Sequence, residues 1–121
     1  MAENAEPNST LGPDGRPLVA RTSPLEGRWG RLSIVFGQEG VDLLAGKKVL
    51  LFGLGGVGSN CLEALARGGI GSFVLVDCDV VQPSNVNRQA VAWESTIGRR
   101  KTDVAREMVL AINPEAQVET V

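Results

Sequence analysis

The chain has 121 residues, 43% of them hydrophobic, with 12 basic and 14 acidic side chains and a net charge of −2. That is the size of one small domain, apolar enough to pack a core. The charge balance excludes a globally basic nucleic-acid binder, and the absence of histidine excludes Ser-His and Cys-His catalytic pairs.

Residues 1–27 carry Pro7, Pro13, Pro17 and Pro24, four of the chain's six prolines, among Asn, Ser and Gly. This composition predicts a flexible tail. The start, MAENAEPNST, is acidic and polar and has no apolar stretch of the kind a signal peptide needs. No apolar run reaches transmembrane length, so a cytoplasmic protein without membrane contact is expected. From Arg28 to Ala45, Trp29, Leu32, Val35 and Phe36 fall at helical spacing, and Val41, Leu43 and Leu44 follow Gly37 and Gly40. The pattern predicts two short helices with a bend between them.

Lys47–Phe52 reads as a strand without polar alternation, the type that parallel sheets bury on both faces. A helix from Val57 to Arg67 would turn Val57, Cys61, Ala64 and Leu65 inward, and Gly68-Gly69 would end it. "SFVLV", residues 72–76, is a second buried strand, and Cys78–Glu94 a long polar connection. A helix over Lys101–Ile112 would bury Val104, Met108, Ala111 and Ile112 before Asn113-Pro114 stops it, and "QVETV" opens a third strand. Strand-helix-strand-helix-strand is the N-terminal half of a doubly wound, Rossmann-like α/β domain with a parallel sheet and flanking helices. The right-handed crossover rule places the strands in the order three, two, one. The other half of such a sheet would sit beside strand one. Without it that strand exposes unpaired backbone and apolar surface. A truncated domain over 28–121, or one that pairs with another chain, is therefore expected.

The chemistry centres on "GLGGVGS". Gly53, Gly55, Gly56 and Gly58 lie between a strand and a helix, where glycines permit a tight turn, a close approach of backbone to phosphate, and close helix–strand packing. The unpaired N–H groups of the helix start then face an anion, and Ser59 could add a hydroxyl donor. Asp77 ends the second strand about 20 residues beyond the glycines, where dinucleotide-binding folds hold a ribose. To this point NAD and ATP fit equally well. "VDCDVVQPSNVNRQAVAWESTIGRRKTD" then places Asp79, Asn85, Asn87, Arg88, Gln89 and Lys101 near the same crevice. An NAD site has little use for so many polar side chains. A triphosphate attacked at its α-phosphorus does, because charge develops on the phosphoryl group and on the departing pyrophosphate. Lys101 would stand in the first turn of its helix, where the dipole disfavours a cation unless an anion is near. Arg99-Arg100-Lys101 reads otherwise as a solvated helix end. Asn85 and Asn87 have an alternative use in shaping the turn after Pro83. Cys61 and Cys78 form no CxxC pair and read as reduced thiols packed as small apolar groups. No metal ligand set is apparent.

"GLGGVGS", "LVDCDVVQPSNVNRQ", "IGRRK" and "INPEAQV" together resemble the ThiF/MoeB family of ubiquitin-activating-enzyme-like adenylyltransferases, over roughly Arg28 to Val121. "RWG", "NVNRQ" and "STIGRRK" are most similar to the branch that dehydrates threonylcarbamoyladenosine in tRNA. The resemblance implies ATP and magnesium as cofactors, ATP over the glycine loop, and Asp77 on the ribose. Asn85, Arg88 and Lys101 would contact the phosphates, with Asp79 and Gln89 in support. It implies an arginine reaching the partner subunit's site in a homodimer, a place that Arg31 or Arg28 would fill. The implied reaction activates a carboxylate as an acyl-adenylate, here the threonyl carboxylate of a modified tRNA adenosine, which then cyclises with loss of water. Activation of the C-terminus of a small sulfur-carrier protein, or a catalytically silent nucleotide-binding fragment, are the alternatives. Relatives hold their metal with an aspartate beyond the position matching Val121, so these residues alone are not expected to catalyse adenylation.

Overall fold

The computed structural model describes residues 26–121, so all but the last two positions of the expected tail lie outside the described residues. The described residues fall into a first unit ending at Val41 and a second over Asp42–Val121. In the first, the Arg28 guanidinium stacks 5.7 Å from the centroid of the Trp29 ring, a cation–π contact. Helix α1, Gly30–Ala45, then runs through a break at Gly37, with φ 72° and ψ 166°. This backbone region is essentially closed to residues with a Cβ. The bend expected between two helical pieces is therefore present and centred on that glycine.

The second unit is a three-stranded parallel sheet with two crossover helices. Its elements are β1 (Lys48–Phe52), α2 (Gly56–Arg67), β2 (Ser72–Val76), α3 (Lys101–Ile112) and β3 (Gln117–Thr120). The spatial order is β1-β2-β3, with Leu50 opposite Val74 and Val74 opposite Glu119. This is the predicted order. Phe73 and Leu75 of β2 are fully buried, as are Leu62 and Ala66 of α2 and Ala105 and Val109 of α3. Val49, Leu51 and Val118 pack against them from the outer strands. Removing each large apolar side chain from water contributes about 1.5–3 kcal/mol, so this one layer of helix on sheet holds the unit together.

Three expectations about facing require correction. β1 is not buried on both sides: Leu50 is 54% and Phe52 73% exposed, on the face opposite the core. The inward stripe of α2 is Ser59, Leu62 and Ala66, while Val57, Cys61 and Ala64 are exposed. The helix is apolar on two sides, and pattern alone selected the stripe free of a serine. In α3 the buried set is Lys101, Thr102, Val104, Ala105, Met108 and Val109, with Ala111 exposed.

The connection from Cys78 to Glu94 is more ordered than a polar loop. It carries 3₁₀ turns at Pro83–Asn85 and Glu94–Thr96, and it buries Val81, Val91 and Ala92. Val80 pairs antiparallel with Arg100, which brings the start of the connection against the residue that precedes α3. Thr96 Oγ1 closes the second turn, accepting from Trp93 N–H (2.8 Å) and donating to the Val91 carbonyl (2.7 Å).

At the start of β2, a Cβ on Gly71 would lie 2.0 Å from the Ala45 carbonyl oxygen. Both contacting groups are backbone and cannot rotate away. Gly71→Ala is expected to destabilise the second unit by about 1–3 kcal/mol, read as a lower urea midpoint with an unchanged m-value. An unaltered midpoint would contradict this packing.

Candidate functional site

The site is built at the C-terminal ends of the strands, where open parallel sheets place their ligands. The chain leaves β1 through Gly53, whose N–H donates to the Val76 carbonyl (2.8 Å) and whose φ is 91°. A side chain at that φ would be strained. The loop doubles back so tightly that a Cβ on Gly58 would stand 1.9 Å from the Gly53 oxygen. α2 begins at Gly56 with Gly55 as its N-cap, with no side-chain cap and no acidic residue in the first turn. Its leading N–H groups thus remain open to an anion.

Asp77 clamps this loop. Its Oδ2 accepts from Leu54 N–H (2.7 Å) and its Oδ1 from Asp79 N–H (2.7 Å). One carboxylate therefore joins the end of β1 to the segment leaving β2. Cys78 and Asp79 are exposed beside it. Gly53, Asp77, Cys78, Asp79, Arg100 and Val121 line an open cleft of about 490 Å³. A neighbouring cleft of about 450 Å³ shares Cys78 and Asp79 and adds Gln82, Asn85 and Lys101.

The "NVNRQ" turn supplies the other wall. Asn85 is buried; its Oδ1 accepts from Gln82 N–H (2.8 Å), and its carbonyl accepts from Arg88 and Gln89 N–H. It thus shapes the turn, one of the two uses open from sequence, and lines the cleft. Arg88 lies across Gly56, with its Cγ and Cδ 3.5 Å from where a Cβ would be. Its Nη1 donates to the Ser84 carbonyl (3.1 Å) and to Asn87 Oδ1 (2.8 Å). Asn87 is exposed and orients Arg88. Gln89 is 7% exposed beside Gly55, and its Oε1 is buried without a hydrogen-bond partner. Buried polar atoms are usually hydrogen-bonded, so such an orphan is uncommon.

Lys101 has the most telling surroundings. The residue is 6% exposed, its backbone N–H donates to the Asp79 carbonyl (3.0 Å), and its side chain lines the cleft. Among the described residues no acidic oxygen forms an ion pair with its ammonium. The cleft it lines also holds the Asp79 carboxylate, so cation and acid face the same space.

The basic trio at the start of α3 divides three ways. Arg99 forms a two-pronged ion pair with Glu107 on the surface. Arg100 faces the Asp77 cleft, and Lys101 turns inward. It is therefore not a single solvated end. Arg100 was missed by sequence reasoning because a charge run carries no facing information.

Other placements differ from expectation. Ser59 is fully buried; its hydroxyl donates to the Gly55 carbonyl (2.5 Å) and accepts from Ala90 N–H (2.9 Å). Its one proton is committed to the loop and is not presented to a ligand. Asn60, also missed, donates to the carbonyls of Gly56 (2.6 Å) and Arg88 (2.7 Å), bracing the glycine loop against the arginine turn. Its one sequence signal is its spacing of four from Gly56. Cys61 and Cys78 are free, as expected, but both are exposed rather than packed. Arg28 and Arg31 are exposed in the first unit, and the site described here lies wholly in the second. No group of three or more Cys, Asp or Glu is poised as a metal cage among the described residues.

A parallel sheet with a strand-end crevice, a glycine-rich, uncapped helix start and an aspartate clamp defines a Rossmann-like α/β domain. Residues 30–121 match the ThiF family, and the chain belongs to it. It is 44% identical over 91 residues to the tRNA threonylcarbamoyladenosine dehydratase of Bacillus subtilis, covering 75% of this chain and 36% of that protein. Its fold matches a crystal structure of Escherichia coli tRNA N6-threonylcarbamoyladenosine dehydratase, TcdA, in complex with ATP. The TM-score is 0.76 at 40% identity, covering 78% of this chain and 39% of that one. A probable adenylyltransferase/sulfurtransferase, MoeZ, of Mycobacterium tuberculosis is 35% identical over 113 residues, covering 92% of this chain and 29% of that protein. The chain thus spans about a third of the length of the curated relatives it matches.

Two outcomes follow from this geometry. Asp77→Asn keeps the shape but turns an amide donor toward one of two backbone N–H groups. It is expected to cost about 1–3 kcal/mol and to speed amide exchange at Leu54 or Asp79; unchanged exchange at both would refute the clamp. On the surface, the hydrogen bond from Arg99, reinforced by its charge, holds the Glu107 carboxyl below its ordinary value against the opposing effect of desolvation. A lowered folded-state pKa stabilises the fold above the ordinary carboxylate range, and this is lost as pH falls through the folded value. An NMR titration should find the Glu107 midpoint below that of an ordinary glutamate, and Arg99→Ala should return it to normal.

Proposed function

We propose that this chain supplies the nucleotide-binding part of an ATP-dependent enzyme that activates a carboxylate by adenylation, acting on threonylcarbamoyladenosine in tRNA. The observation that carries this reading is the uncapped, glycine-rich start of α2 beside a strand-end cleft, with Lys101, which has no ion-pair partner among the described residues, in the adjoining one. ATP fits the residues present: an anion cradle, an unpaired buried amide oxygen at Gln89, and cations on two sides. ATP supplies an electrophilic α-phosphorus and a pyrophosphate leaving group. The chain's own residues bind and orient it. The Gly55–Gly58 amides hold phosphate oxygens, Arg88 and Lys101 offset the charge that grows there, and Asp77 sets the ribose while holding the loop closed. Asn85 and Asn87 position the arginine turn, and Gln89 and Asp79 complete the polar lining. Magnesium would enter with the triphosphate, since it is commonly held by one or two carboxylates and substrate phosphates rather than by a protein cage.

The dehydratase reading is favoured over sulfur-carrier activation by identities of 44% and 40% to the dehydratases, against 39%, 37% and 35% to a SAMP-activating enzyme and two adenylyltransferases. A homodimer, with Arg31 or Arg28 serving the partner's site, and a cytoplasmic setting belong to the same proposal. No helix among the described residues is long and apolar enough to cross a membrane.

Calorimetry with magnesium–ATP against NAD tests the ligand class. ATP should bind and NAD should not, and the reverse result would defeat the reading. Lys101→Met keeps the apolar stem and removes the charge. It should weaken ATP by about 1.5–3 kcal/mol, roughly 10- to 150-fold, with the circular dichroism spectrum unchanged.

A further inference from the structure

Cys78 belongs to both clefts, the one lined by Asp77 and Arg100 and the one lined by Asn85 and Lys101. Its thiol is free and exposed, and its one polar contact is a weak donation to Asp79 Oδ1 at 3.7 Å. Cys61, the chain's other cysteine, is also exposed but lies on α2 and lines neither cleft. Exposure makes both thiols accessible to reagents, and accessibility is a requirement for thiol exchange. Position separates them. A group attached at Cys78 projects into space that a nucleotide would need, and a group attached at Cys61 does not. The second observation is Lys101, 6% exposed, without an ion-pair partner among the described residues, and lining the same cleft as Cys78. Arg100 faces the other cleft. An adduct on Cys78 would therefore stand between Arg100 and Lys101 on one hand and the Asp77 and Asp79 carboxylates on the other, in space otherwise open to phosphate.

We propose that Cys78 is a reversible S-thiolation site through which low-molecular-weight disulfides close the nucleotide crevice. The inference rests on the ATP reading above. In the exchange, the Cys78 proton passes to solvent and its thiolate attacks one sulfur of the disulfide. A new S–S bond forms to Cys78, the original S–S bond breaks, and the other half leaves as a thiolate. Excess thiol reverses each step. With glutathione disulfide, the attached group carries two carboxylates and one ammonium, so the crevice gains both bulk and net negative charge. Nucleotide binding and thiolation then exclude one another.

The test treats the chain with glutathione disulfide, maps adducts by peptide mass spectrometry, and titrates magnesium–ATP by calorimetry before and after. ATP affinity should fall at least tenfold when Cys78 is modified and recover with dithiothreitol. Saturating ATP should slow modification of Cys78 and leave that of Cys61 unchanged. The Cys61→Ser variant should retain the full response. In Cys78→Ser, glutathione disulfide should modify Cys61 without altering that variant's own ATP affinity. Modification of Cys78 with undiminished ATP affinity would overturn the proposal while leaving the nucleotide reading intact. Failure of the untreated chain to bind ATP would defeat both.

Discussion

The two hydrogen bonds accepted by the Asp77 carboxylate, from Leu54 and from Asp79, hold together the parts on which the site depends. They fasten the turn after β1 to the segment after β2 at the point where both strands end. A charged acceptor for two backbone donors is stronger than a neutral one, and here it removes the freedom of two loops at once. The approach of Gly58 to the Gly53 carbonyl is tolerable because there is no side chain between them. The uncapped start of α2 is thereby held in place beside the cleft.

Around that clamp, polar residues divide into those that face the crevice and those that hold the facing residues. Ser59 and Asn60 act on backbone carbonyls and spend their donors there. Asn87 restrains Arg88, and Asn85 organises the turn that carries both Arg88 and Gln89. Lys101 is anchored through its backbone to Asp79, so its position follows from the same loop that Asp77 fixes. The polar groups around the cleft are thus held in place by the chain's own hydrogen bonds.

The apolar surface is distributed unevenly. One face of the sheet is covered by α2 and α3, while Leu50 and Phe52 on the other face and Val57 on α2 remain exposed. An apolar helix face and an open strand edge are costly to leave in water. The matched segment makes up 36% and 39% of two tRNA threonylcarbamoyladenosine dehydratases.

Much of this was legible in the residues. Glycine at four of six positions, an aspartate at a strand end, and proline or paired glycines at helix ends each act through local backbone geometry, which neighbours in the chain determine. Element order and the strand order β1-β2-β3 followed from the same local signals and a handedness rule. Direction was not legible. Which stripe of α2 turns inward, where Arg99, Arg100 and Lys101 separately point, and whether Ser59 serves ligand or loop depend on what lies opposite each side chain. The same holds for Cys78, whose exposure in the crevice is set by the path of the Cys78–Glu94 connection. Sequence specified which groups are present and how the backbone turns between them, because those are short-range properties. Tertiary packing alone decided which of those groups meet, because burial and charge pairing are settled between residues far apart in the chain.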